Sequence, residues 1–316
     1  MQNLSASRKK PLLQRITREL RKNYVLYLLI LLPLAVLIVF QYVPMYGVQI
    51  AFRDYKVARG ITGSKWVGLK YIKKFFDSPM AGTYIWNTLA ISLYELCTFP
   101  LGLILALLLN YVPSARFRKT VQMVSYAPHF ISTVVMCGMI TQFLDARSGL
   151  INVLLKCVGV QPKNWMTYPE YFRHIYVWSG VWQGLGYSSI IYIAALSGVS
   201  PELHEAAIVD GANIFQRMWN VDIPSVLPTF CILLIMRCGS IMSVGFEKVL
   251  LLQNNLNKSA SEIISTFTYN IGLNSSGAMP QYSYGAAIGL FTSLVNMALL
   301  LVVNTVTRKL SGSGLW

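Results

Sequence analysis

The chain has 316 residues, 54% of them hydrophobic and only 12% charged, with a mean hydropathy of +0.50 and a net charge of +15. So little charge cannot clothe the surface of a soluble domain of this size, and the bilayer is its natural solvent. The basic residues lie in short clusters between apolar runs rather than along one stripe, which fits membrane flanks better than a nucleic-acid surface.

Runs able to cross about 30 Å of hydrocarbon are Tyr24–Val43, Tyr84–Val112, Val121–Leu144, Tyr176–Leu196, Val226–Phe246 and Gly285–Val306. Helix is the expected conformation, because in lipid the backbone must pair with itself, and ten-residue alternating segments are absent. The first run follows Arg15, Arg18, Arg21 and Lys22, as a signal peptide would. It is too long for one and lacks a small-x-small exit site, so it reads as a retained span. The expectation is an all-α integral membrane protein with a basic tail at 1–23, six spans over 24–306 and a short tail at 307–316. An even number of spans puts both termini on one side.

Charge does not say which side. The loops carry 13 Lys and Arg on each side of the membrane, with Arg237 left inside a span. The segment Trp66–Phe76 sets apolar residues against Lys70, Lys73 and Lys74, as an interfacial helix reaching lipid headgroups would. The cluster from Arg116 to Lys119 favours a cytoplasmic N-terminus.

Within the spans, Pro100 and Pro128 should kink their helices. The Gly180/Gly184 and Gly285/Gly289 spacings should permit close helix contacts. Cys97, Cys137, Cys157, Cys231 and Cys238 have no metal-ligand spacing and read as small packing residues, and no metal or catalytic constellation is found. His129, beside Pro128, receives no role.

The connection 197–225 is the most informative segment. Ser200 is a good N-cap, with Pro201 at the first helical position and Glu202 in the first turn, so a helix is expected over Pro201–Val209. Asp210-Gly211 is a turn signal, and a second short helix is expected over Ala212–Asn220, ending before Pro224. Small residues at Ala206, Ala207 and Gly211 admit another protein's backbone, and Ile208, Ile214 and Phe215 offer apolar contact.

This segment resembles the EAA loop of permease subunits of binding-protein-dependent ABC importers. Glu205-Ala206-Ala207 is followed after three residues by Gly211, and after nine more by Val221-x-Ile223-Pro224. The departures at Val221 and Ile223 keep aliphatic groups. Weaker likenesses to the carbohydrate branch run through Tyr42–Gly47, Asn87–Leu89, Ala127–Ser132, Gly245–Leu250 and Arg308–Trp316. The resemblance implies the six-helix type I importer fold, with the loop in the cytoplasm and seated in a groove of a separate ATPase. Its contact residues would be Glu205, Ala206, Ala207, Asp210, Gly211, Ala212 and Phe215, with Pro224 closing the elbow. It further implies both termini in the cytoplasm of a bacterial cell, a second permease as heterodimer partner, two ATPase subunits that carry ATP and Mg, an extracytoplasmic solute-binding protein and an oligosaccharide substrate.

The chain has no GxxxxGK[ST] loop, so ATP chemistry belongs elsewhere, and no HExxH or GxSxG suggests a membrane hydrolase. A secondary transporter is the alternative, although no internal repeat is seen. Arg237, mid-span, costs about 2.5–3.5 kcal/mol on insertion scales and must face protein or water. It either lines the sugar path or pairs with a carboxylate such as Glu95. Trp182, Gln183 and Tyr187 suit the C–H faces and hydroxyls of a sugar, or equally belong to an interfacial belt and to packing. A short amphipathic helix is expected over Glu262–Leu273, on the side away from the elbow.

Overall fold

A computed structural model describes Glu19 and residues 21–274, 279–312 and 314–316. Apart from one two-stranded hairpin, the described residues form helices and their connections. Four helical runs are long and apolar enough to cross a membrane: Tyr24–Phe52, Ala81–Asn110, Ile214–Cys238 and Tyr282–Lys309. A fifth is added if Ala115–Phe130 and Thr133–Phe143, bent by 98°, count together.

The first run begins with α1 (Tyr24–Leu37) and continues through π and 3₁₀ turns to Phe52; no residue of α1 is buried. A hairpin follows, β1 (Arg53–Lys56) against β2 (Gly60–Trp66), with Arg53 opposite Trp66 and an irregularity between Asp54 and Lys56. Next comes α2 (Lys70–Phe76), a shorter helix than the amphipathic segment expected over 66–76. Phe75 is buried, and Lys74 turns back to donate to Gln281 (2.8 Å) and to sit over the Tyr284 ring. The face expected to meet headgroups thus partly holds α2 to the last helix.

The second span is α3 (Ala81–Thr98) and α4 (Leu101–Asn110), interrupted at Phe99-Pro100 where proline has no N–H to continue the ladder. The third, expected as one kinked helix, is instead two: α5 (Ala115–Tyr126) and α6 (Thr133–Phe143). Proline alone is too mild a cause. Ile131 and Ser132 are extended, the Ser132 hydroxyl caps α6 by accepting from the Val135 N–H, and Gln183 donates to the freed Ile131 carbonyl at 2.8 Å.

After α7 (Leu150–Cys157) comes α8 (Pro169–Ser197), the central helix, which touches α3, α4, α5 and, later in the chain, the helices at Ile223–Cys238 and Lys258–Ser261. It is 29 residues long but less apolar than the other runs, carrying Ser, Gly, Tyr, Trp and Gln along its length.

The elbow contains α9 (Pro201–Val209) and α10 (Ile214–Arg217), and α10 passes through a π turn at Met218–Asp222 directly into α11 (Ile223–Cys238). The expected stop before Pro224 does not occur. Pro224 sits in the first turn of α11, where a missing N–H is tolerated, and the π turn absorbs the change of register. The fifth span accordingly starts earlier than expected and ends at Cys238, not Phe246; Phe246 opens α12 (Phe246–Leu252). Then follow α13 (Lys258–Ser261), α14 (Ile264–Gly272) and α15 (Tyr282–Ser311).

The expected amphipathic segment 262–273 forms α14, but it is drawn into the bundle. Ile264 and Thr266 are buried, and the Thr88 hydroxyl accepts from the Ile264 N–H at 3.1 Å. Asn87 donates to the carbonyls of Ser259 and Glu262 and accepts from Arg173, joining α3, α8 and α13 at the end of α8 remote from the elbow. Close helix contact is provided by only part of the expected set: a Cβ on Gly285 would meet Gly272 and Thr268 of α14 at 3.6 Å, and the tightest approach is at a glycine outside it. A Cβ on Gly186 would lie 2.4 Å from the Ser125 backbone, whereas Gly184 and Gly289 have open space beside them.

Candidate functional site

The elbow is built by local chemistry. The Ser200 hydroxyl accepts from the Glu202 N–H, and Pro201 occupies the first helical turn. At the other end Gly211 takes φ +79°, and the Ala212 and Gly211 N–H groups return to the carbonyls of Ala207 (2.8 Å) and Ile208 (3.0 Å). This paired closure needs a left-handed residue, which glycine supplies without a Cβ clash. Asn213 and Gln216 then form a reciprocal capping box that starts α10.

These caps leave Glu205, Ala206, Asp210 and Gly211 exposed, Ala207 and Ala212 half-buried, and Pro224 exposed at the start of α11. Val209 (87% exposed), Phe215 (79%), Trp219 and Ile208 make an apolar patch around the turn. Apolar groups massed on a protruding elbow are a protein-binding feature.

Beneath the patch lie four residues that spacing arguments missed. Asp222 is fully buried (0% exposed); its Oδ2 accepts from the Tyr111 hydroxyl at 2.6 Å, and its Oδ1 lies 3.3 Å from His204 Nε2. The Arg217 guanidinium sits 5.5 Å from the centroid of the Tyr111 ring. A lone tyrosine, histidine, arginine and aspartate at 111, 204, 217 and 222 carry no motif, and only the fold brings them together.

In the bundle interior Arg237 donates to and forms an ion pair with Glu95. Both line a cavity of about 320 Å³ with Thr98, Gly102, Gly180 and Ser188. Arg237 is the more exposed partner, at 44% against 22% for the Glu95 side chain. Nearby, buried Lys248 donates to the Tyr176 carbonyl at 2.6 Å and sits over the Tyr176 ring. Lys248 was not singled out from the sequence; its signal was a cation amid apolar residues at the edge of a span.

The other three path candidates do not line this cavity. Gln183 is committed to the Ile131 carbonyl, and Tyr187 stacks on His129 with ring centroids 3.9 Å apart, so both hold α8 against the broken third span. Trp182 is half exposed. Trp178 donates to the Tyr94 hydroxyl, which is 3.0 Å from His174 Nδ1.

Residues 98–312 match the family described as binding-protein-dependent transport system inner membrane component. The chain belongs to that family. The polygalacturonan/rhamnogalacturonan transport system permease protein YteP of Bacillus subtilis (strain 168) is 38% identical, over 98% of this chain and 95% of its own length. Protein LplB of the same strain is 39% identical, over 94% and 92%. A permease chain of a bacterial alginate ABC transporter, crystallised with an alginate pentasaccharide-bound periplasmic protein, superposes with a TM-score of 0.87 at 33% identity, covering 95% of this chain and all of that one. Membership at this coverage sets aside the secondary-transporter alternative and gives the elbow its context in a permease.

Proposed function

We propose that this permease is one transmembrane half of an ATP-driven importer of oligosaccharides or polysaccharide fragments, with the elbow as its coupling element. The observation that carries the reading is the EAA-spaced helix–turn–helix at 201–224, capped at both ends and presenting an apolar patch outside the bundle. The related YteP and alginate permeases belong to systems for polysaccharides, in keeping with such a substrate.

In this reading the membrane domain spans 24–306 with six crossings, α8 and the broken third span included, and both tails, 1–23 and 307–316, lie in the cytoplasm of a bacterial cell. A second permease completes the path, two ATPase subunits hold ATP and Mg, and an extracytoplasmic binding protein delivers the sugar. Closure of the ATPases on ATP moves the docked elbows and opens the path outward, and hydrolysis resets it. Glu205, Ala206, Ala207, Asp210, Gly211, Ala212 and Phe215 meet the ATPase, and Pro224 carries the elbow into α11. Arg237, kept in the path by Glu95, is the polar group facing the sugar. Trp182 and Tyr187 offer aromatic faces at its margin, and Gln183 acts there by holding the break at Ile131.

Two substitutions test this. Ala207→Cys should react with membrane-impermeant maleimide only when the cytoplasmic face is accessible; labelling of intact cells would refute the topology. Gly211→Trp should abolish sugar uptake and ATPase association while membrane insertion persists. Normal uptake by that variant would remove the elbow from the mechanism.

A further inference from the structure

Every polar tie of the elbow to the bundle described above converges on one carboxylate. Asp222 lies in the π turn between α10 and α11, His204 on α9 and Tyr111 just beyond α4. Three segments therefore meet at one fully buried acid, through a hydrogen bond from Tyr111 at 2.6 Å and a 3.3 Å approach of His204 Nε2 to Oδ1, which has no hydrogen-bond partner among the described residues. Arg217 covers the Tyr111 ring and is half-buried, with its Nε enclosed and without a hydrogen-bond partner among the described residues. Met218 and Ile223, on either side of the acid, pack against the apolar cluster of Ala106, Leu107, Tyr192, Leu196 and Val226.

A buried carboxylate is costly to leave unpaired, so the three elements are held together by the need to satisfy it. Such a junction resists relative motion better than apolar contact alone, because sliding by one turn would break the Tyr111 bond and the His204 contact without replacing them. The patch at Val209 and Phe215, by contrast, has no polar tie of its own and moves with whatever holds α9 and α10.

We propose that Asp222, with His204 and Tyr111, is the rigid joint through which displacement of the coupling helix is passed to the second and fifth spans together. These are positioning residues: they fix the elbow's angle to the end of α4, in the same span as Glu95, and to α11, which carries Arg237. The proposal rests on the coupling reading of the elbow. It adds that the elbow drives α4 and α11 as one body rather than α11 alone.

The test uses the assembled transporter in proteoliposomes with its binding protein, measuring ATP hydrolysed per sugar imported. Tyr111→Phe, His204→Gln and Asp222→Asn should each leave ATPase subunits bound and raise that ratio about fivefold, the lower end of couplings between distant sites. The Tyr111→Phe/Asp222→Asn double variant should be no worse than Asp222→Asn alone, because both remove the same link. A ratio unchanged in Tyr111→Phe and His204→Gln, even with lower assembly yield, would make the cluster a stability element and overturn the proposal, as would additive effects in the double variant. Loss of ATPase binding in Gly211→Trp with unchanged ratios in the joint variants would separate failure of the joint from failure of the coupling reading.

Discussion

Glu95 and Arg237 show how much a single residue can disclose. An arginine in the middle of an apolar run demands a partner on energetic grounds, and the only mid-span acid named for it in the sequence is the one that meets it. Removing one member strands the other, so Glu95→Gln or Arg237→Gln should each lower thermal stability in detergent by about 2–3 kcal/mol, less than for a fully buried pair because Arg237 is partly exposed. The double substitution should cost less than the two singles combined, as a double-mutant cycle of melting temperatures would show. Glycine was read less well. A four-residue spacing pointed to Gly184, yet the close approach is at Gly186, because contact depends on which face of α8 meets α5, and spacing does not contain that information. Gly186→Ala should destabilise the protein by about 1–3 kcal/mol, whereas Gly184→Ala should be nearly neutral in the same melting assay.

At the scale of elements, caps and turns were legible and discontinuities were not. The bounds of α9 follow from Ser200, Pro201 and the Asp210-Gly211 turn, all of which act within a few residues. The 98° bend in the third span needed Gln183, more than fifty residues away, to satisfy Ile131, and the continuation through Pro224 needed a π turn. The β1–β2 hairpin escaped notice because its strands are short and charged. It is tied to α2 by the Tyr71 hydroxyl, which donates to Asp54 at 2.7 Å. That bond, helped by Lys70, Lys56 and Lys65, holds the Asp54 carboxyl below its ordinary 3.8, while burial and the same acid push the Tyr71 hydroxyl up to about 12. A depressed carboxyl contributes its tie in full above about pH 4 and loses it as pH falls through the folded value. Amide exchange in residues 53–66, corrected for intrinsic rate, should therefore accelerate as pH falls below about 4 in the wild type, and not in Asp54→Asn.

For the whole molecule, hydropathy pointed to the membrane and a loop motif pointed to the family, but neither located the centre of the bundle. α8, which packs against α3, α4, α5, α11 and α13, carries polar and aromatic groups along its length and is less apolar than the four runs long and apolar enough to cross. The equal division of Lys and Arg between the two sides also has a physical side. Several of the basic residues that spoil the count are occupied within the protein: Lys74 with Gln281 and Tyr284, Arg173 with Asn87, Lys248 with Tyr176. A charge engaged in folding is a poor reporter of orientation.

The first helix offers a view of how such a machine is put together. No residue of α1 is buried among the described residues, so lipid or the neighbour it meets sets the sideways place of that helix. Assembly then becomes a search in two dimensions: a subunit can enter the membrane, wait there with its first helix unclaimed, and become a defined object only when a companion drifting in the same plane closes around it.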